Sequence, residues 1–175
     1  MSDEQTKILL DNEFDYSIHY RHWHDDSDAH ARIMIDSEIA LLKLLDKSDK
    51  RLPVLDIGCA MGFTMRALLE LGFNEVEGVD IDSAQVDACL RQNLAVRLCK
   101  DIVSDLKSRP QRYGAVLMLD VLEHIPVNQQ IGILRAVFRA MAPGAMLILK
   151  VPNANSLCSA RWRYIDFTHF TSYTE

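Results

Sequence analysis

The chain has 175 residues, a length that suits one domain. Lys and Arg number 19 against 25 Asp and Glu, a net charge of −6, and 49% of the residues are apolar with 25% charged. This is the balance of an ordinary globular protein; it excludes disorder, collagen and a disulfide scaffold, and it disfavours a nucleic-acid binder, which needs a basic face.

No run of eighteen apolar residues is present, so no membrane span is expected. The N-terminus, MSDEQTKILLDNEFDY, is acidic and lacks the pattern of a signal peptide. Cys59, Cys89, Cys99 and Cys158 form no C-x-x-C pair and read as reduced thiols, which points to the cytoplasm. Residues 1–28 are polar and rich in aromatic side chains, and His19, His22, His24 and His30 bring four of the six histidines to this end of the chain. Their spacings do not match paired zinc ligands. The segment reads either as a packed or solvated extension or as a cap in which Tyr16, Tyr20 and Trp23 close over a substrate. The rest, residues 29–175, reads as one domain.

Residues 29–47 place Ile33, Ile39, Leu42 and Leu45 near helical spacing, and Pro53 marks a break beyond them. Short apolar runs then alternate with helical patterns. Strands are predicted at residues 52–57, 75–79, 94–99, 115–119 and 146–151. Helices are predicted at residues 65–71, 83–92, 104–107 and 127–141, the last ended by Pro143-Gly144. Five strands separated by helices imply βαβ units and a parallel sheet, and strands this apolar are covered on both faces. Right-handed crossovers make the fold class α/β, a Rossmann-like, doubly wound, three-layer sandwich.

The stretch Val54-Leu55-Asp56-Ile57-Gly58-Cys59-Ala60-Met61-Gly62-Phe63 carries chemistry. A strand runs through Asp56 into small residues and then a helix, so backbone can approach a ligand closely. Asp80 ends the second strand, about 20 residues on, where an acid hydrogen-bonds ribose hydroxyls. The small residues run Gly58-x-Ala60-x-Gly62 rather than G-x-G-x-x-G, and an acid stands two residues before the first glycine. A carboxylate there repels a pyrophosphate and suits an ammonium or a sulfonium, which speaks against a nicotinamide oxidoreductase.

Residues 52–151 resemble the core of a class I S-adenosylmethionine-dependent methyltransferase, of the small-molecule and sugar-modifying, ubiquinone-biosynthesis-like type. LDIGCAMG resembles the glycine-rich motif around the cofactor's methionine, with Asp56, Gly58, Cys59, Ala60, Gly62 and Phe63. VEGVDID resembles the second-strand motif, with Asp80 on the ribose and Ile81 against the adenine. Asp101 and Ile102 resemble the adenine-side pair after the third strand, and LMLDVLEHIP, with Leu119 and Asp120, resembles the motif lining the transfer site. The resemblance implies sheet order 3-2-1-4-5, S-adenosyl-L-methionine as cofactor and S-adenosyl-L-homocysteine as product. It implies a small-molecule or glycan acceptor, with O-methylation favoured. Ala60 departs from the usual middle glycine. The family's last two strands have no counterpart before residue 175, so an open fifth-strand edge is expected, closed either by a homodimer through it or by cover from residues 153–170. A cofactor-binding scaffold without turnover is the alternative.

Methyl transfer to an alcohol needs a base near the acceptor oxygen, and histidine titrates in the right range. His124 follows the fourth strand, and His169 lies in the loop after the fifth with Asp166 beside it, to orient it or to bind a hydroxyl. These three are the catalytic candidates; Tyr20, Trp23 and Arg161 are the substrate candidates. Asp120, His124 and Asp166 have the side chains for a metal, but their spacing is a weak signal and no metal is expected.

Overall fold

The computed structural model describes residues 27–161, 166 and 168–174. The expected cap residues Tyr16, Tyr20 and Trp23 lie outside the described residues. Helix α1 spans Asp28–Leu42, and a 3-10 turn follows at Lys43–Lys47. Ser27 caps α1 by accepting from the His30 amide at 3.2 Å, which satisfies one of the unpaired N–H groups at the helix start. Its inward stripe is Ala31, Ile35, Glu38 and Leu42, continued by Leu45. This corrects the apolar face expected from sequence: Ile33 is 66% exposed, and Ile39 is only half-buried. At about 100° per residue, Ile33 stands some 200° around the helix from Ile35.

The sheet is built from β1 (Val54–Ile57), β2 (Val76–Asp80), β3 (Val96–Leu98), β4 (Tyr113–Leu119) and β5 (Met141–Lys150). The order is β3-β2-β1-β4-β5 and every pairing is parallel, as the sequence predicts. The connecting helices are α2 (Phe63–Glu70), α3 (Ser83–Arg91), α4 (Ile102–Lys107) and α5 (Val127–Ala140).

Successive strand residues point to opposite faces, so the sheet has two cores. On one face Val54, Ala115, Leu117 and Ile148 pack with Ile35, Met65 and Cys89 from α1, α2 and α3. On the other, Leu55, Val116 and Met118 pack with Leu106, Ile133 and Val137 from α4 and α5.

The fifth strand departs from expectation. Helix α5 ends at Ala140, before the Pro143-Gly144 pair, and Met141 already pairs with Tyr113. Pro143 disfavours helical geometry at the residue before it, so the chain leaves the helix early. Regular pairing resumes at Met146 opposite Ala115, and Gly144 sits in the irregular stretch at φ 80°. Beyond β5, residues 168–174 return over the loop that follows β4. Phe170 N donates to the Glu123 carbonyl at 2.7 Å, and the Tyr173 hydroxyl donates to the Leu122 carbonyl at 3.2 Å. Among the described residues, no helix is long and apolar enough to cross a membrane.

Candidate functional site

Strand order reverses between β1 and β4, and a crevice opens there at the carboxyl ends of the strands, where open α/β sheets bind ligands. It is a cavity of about 1120 Å³. Of the residues expected to hold a cofactor, Asp56, Gly58, Cys59, Ala60, Phe63, Asp80, Ile81, Asp101, Ile102, Leu119 and Asp120 all line it. Gly62 does not, and packing explains that residue. At φ 81° a Cβ there would stand 2.4 Å from Leu94 Cδ1. Gly58 is held in the same way, since a Cβ would stand 2.5 Å from Val121 Cγ2.

Ala60 adopts φ 45°, a left-handed geometry that costs an L residue roughly 1–2 kcal/mol. Its amide donates to Asp80 Oδ2 at 2.9 Å, and the Asp82 amide donates to Asp80 Oδ1 at 2.9 Å. Asp80 is therefore fixed by two backbone donors with its carboxylate on the cavity wall. Burial pushes its pKa up against the pull of those amides. Asp101 caps α4, accepting from the Ser104 amide at 3.1 Å and its hydroxyl at 2.6 Å.

Asp56 is 2% exposed, and its Oδ2 meets no hydrogen-bond partner among the described residues. Burial, then the charges of Asp80 and Glu38, push its pKa up to about 7, with Lys150 opposing. A buried carboxylate without a partner is costly, and a cation beside it removes the cost. Glu38 of α1 also reaches the wall, and Lys150 at the end of β5 bridges to it at 3.0 Å and to Asp120 at 2.9 Å. The wall is acidic on balance, the character that a cationic ligand requires.

The opposite side of the cavity holds His124, Asp166 and His169 together, although 42 residues separate His124 from Asp166. Thr168, which no sequence motif singles out, links them. Its hydroxyl donates to Asp166 Oδ1 at 2.5 Å and lies 2.7 Å from His124 Nδ1. Because the hydroxyl proton points to Asp166, Thr168 accepts from Nδ1–H, which leaves Nε2 of neutral His124 as the basic nitrogen. His169 packs edge-on against His124 with ring centroids 4.7 Å apart, and its Nε2 lies 3.7 Å from Asp166 Oδ2.

Glu123 is fully buried and is among the residues around the same cavity. Burial outweighs the pull of its own backbone amide and, with the charges of Asp120 and Asp166, pushes its pKa up to about 7. Among the described residues, the metal-capable set is Glu123, His124 and His169, each offering one ligand atom within 4.8 Å of the others, and not Asp120, His124 and Asp166. The helical turn after β4 brings the first two together, and only the returning loop supplies the third. Arg161 is exposed and does not line the cavity. Cys59 sits under the turn, where the neighbouring Cys89 and burial push its thiol pKa up and disfavour the thiolate.

A methyltransferase domain family matches residues 18–175. The chain belongs to this family. The domain is 31% identical over 104 residues to an N-demethylindolmycin N-methyltransferase of Streptomyces griseus, covering 57% of this chain and 44% of that one. It is 30% identical over 107 residues to a ubiquinone biosynthesis O-methyltransferase of Pseudomonas aeruginosa (strain UCBPP-PA14), covering 58% and 45%. The methyltransferase domain thus matches less than half the length of these curated relatives. Among solved structures, a SAM-dependent methyltransferase from Archaeoglobus fulgidus superposes with TM-score 0.70 at 27% identity, covering 80% of this chain and 63% of that one.

Proposed function

We propose that the chain binds S-adenosyl-L-methionine in this crevice and transfers its methyl group to a small-molecule or glycan-type acceptor, with an alcohol oxygen favoured. The carrying observation is the pairing of two half-sites across one cavity. On the β1 and β2 side stands an acidic wall with the buried carboxylate of Asp56, which suits a sulfonium and an ammonium. On the β4 side stands His124, its Nδ1 2.7 Å from the Thr168 hydroxyl that Asp166 holds, an arrangement that suits proton removal.

The bound cofactor supplies an activated methyl group. The residues of this chain orient and deprotonate. Asp80 accepts from the ribose hydroxyls, Ile81 and Ile102 flank the adenine, and Asp56 carries the counter-charge. His124 Nε2 takes the acceptor's proton, Thr168 and Asp166 hold the ring, and His169 forms the wall beside it. The ubiquinone biosynthesis relatives, named O-methyltransferases, support oxygen as the acceptor atom. The free thiols Cys59, Cys89, Cys99 and Cys158 support a reducing, cytoplasmic setting.

Titration calorimetry tests this reading. Micromolar binding of S-adenosylmethionine and S-adenosylhomocysteine is expected, with none of NAD; binding of NAD, or of none of the three to folded protein, overturns it. A screen with labelled methyl groups then identifies the acceptor.

A further inference from the structure

Lys150 and Glu38 take no part in the proposed methyl transfer, yet both face the cavity. Lys150 Nζ lies 3.0 Å from Glu38 Oε1 and 2.9 Å from Asp120 Oδ2. The Glu38 side chain is 11% exposed and that of Lys150 39%, so the pair is partly withdrawn from water. Among the described residues of the wall, only Lys100 and Lys150 are fixed cations, and they stand at opposite ends. Lys100 follows β3, on the far side of β2 from the switch point, whereas Lys150 ends β5, beyond β4.

That placement matters for a zwitterionic ligand. With the ribose on Asp80 and the adenine toward β3, the rest of the cofactor runs toward β4 and β5. Its end carries an ammonium and a carboxylate. Asp56, Asp120 and Glu38 repel the carboxylate, and Lys150 is the fixed cation on that side. We infer that Lys150 is the specificity-determining residue for the cofactor's amino-acid head, taking its carboxylate while Glu38, released from Lys150, takes its ammonium. The inference rests on the proposed cofactor reading. The exchange replaces one ion pair by two, so neither protein charge is left uncompensated, and Asp120 stays on Lys150. Breaking a withdrawn pair without such replacement would be strongly unfavourable.

The test is calorimetry on wild type, Lys150→Met and Lys150→Arg with two ligands, S-adenosylhomocysteine and its decarboxylated form. Lys150→Met is expected to weaken S-adenosylhomocysteine about tenfold and to leave the decarboxylated ligand within twofold, with Lys150→Arg close to wild type. A purely structural tie between α1 and β5 would weaken both ligands equally, and that result overturns the inference. Glu38→Gln provides a second arm. It is expected to weaken S-adenosylhomocysteine several-fold and to spare the deaminated analogue, which lacks the ammonium; equal loss for both overturns the exchange. Wild-type protein that binds none of these ligands overturns the cofactor reading itself and the inference with it.

Discussion

Asp80 Oδ2 accepts a hydrogen bond from the Ala60 amide at 2.9 Å, which ties the acid at the end of β2 to the turn after β1. One carboxylate thus shapes the turn and stands among the residues lining the cavity. Asp80→Asn removes the charge and keeps at most one of the two turn bonds, because its Nδ2 donates and cannot accept from a backbone amide. It is expected to lower S-adenosylhomocysteine affinity by about 2–3 kcal/mol, the worth of charge-assisted bonds to ribose, and to lose about 1 kcal/mol of stability with the turn bond that Nδ2 cannot accept. Asp80→Ala should lose affinity and, through two missing turn bonds, about 1–2 kcal/mol of stability. Unchanged affinity in both variants would remove Asp80 from the ribose.

On the proposed cofactor reading, Asp56 should couple binding to proton release. With a pKa of about 7 it is roughly half protonated at pH 7. A sulfonium and an ammonium beside it favour the charged form, so S-adenosylmethionine should release about half a proton on binding at that pH. Calorimetry in buffers of different ionisation enthalpy reads this directly. Asp56→Asn should abolish the release, and S-adenosylhomocysteine, without the sulfonium, should release less.

The same burial sets the pH dependence of stability. Asp56 and Glu123 have folded pKa values of about 7, above their ordinary 3.8 and 4.5. Between those limits the folded chain binds more protons than the unfolded one. The stability they contribute is therefore present at low pH and lost as pH rises toward 7, at up to about 1.4 kcal/mol per pH unit for each group. Denaturant unfolding from pH 5 to 8 checks this. Glu123→Gln should flatten the decline and raise stability at pH 8; an unchanged profile would show that Glu123 ionises normally.

As the proposed base and its holder, His124 and Thr168 should separate in kinetics. Once an acceptor is found, His124→Ala should lower kcat by about 10²–10⁴-fold with cofactor affinity within twofold. Thr168→Val should lower kcat less and change the acid limb of the pH–rate profile, because the Asp166–Thr168 link no longer fixes the tautomer. Full activity in His124→Ala would move the base to His169.

Gly62 tests packing rather than ligand contact. Gly62→Ala adds left-handed strain and a collision with Leu94. A loss of about 3 kcal/mol in chemical denaturation is expected. A variant as stable as wild type would show that Leu94 yields freely.

The sequence by itself determined the sheet and one half of the site. Apolar runs at strand length alternating with helices admit few topologies, and Asp56, Gly58 and Ala60 reach the cavity because a single turn places them there. Asp80 follows from the next strand in the same βαβ unit. These relationships are local, so spacing along the chain carries them. The tertiary structure decided the rest. Thr168 and Asp166 meet His124 only because the segment after β5 returns over β4, held by the bonds from Phe170 and Tyr173 to Glu123 and Leu122. Lys150 finds Glu38 across 112 residues through the docking of α1 on the sheet. Burial, which sets the charge of Asp56 and Glu123, is a property of everything packed around them, and no spacing of residues encodes it.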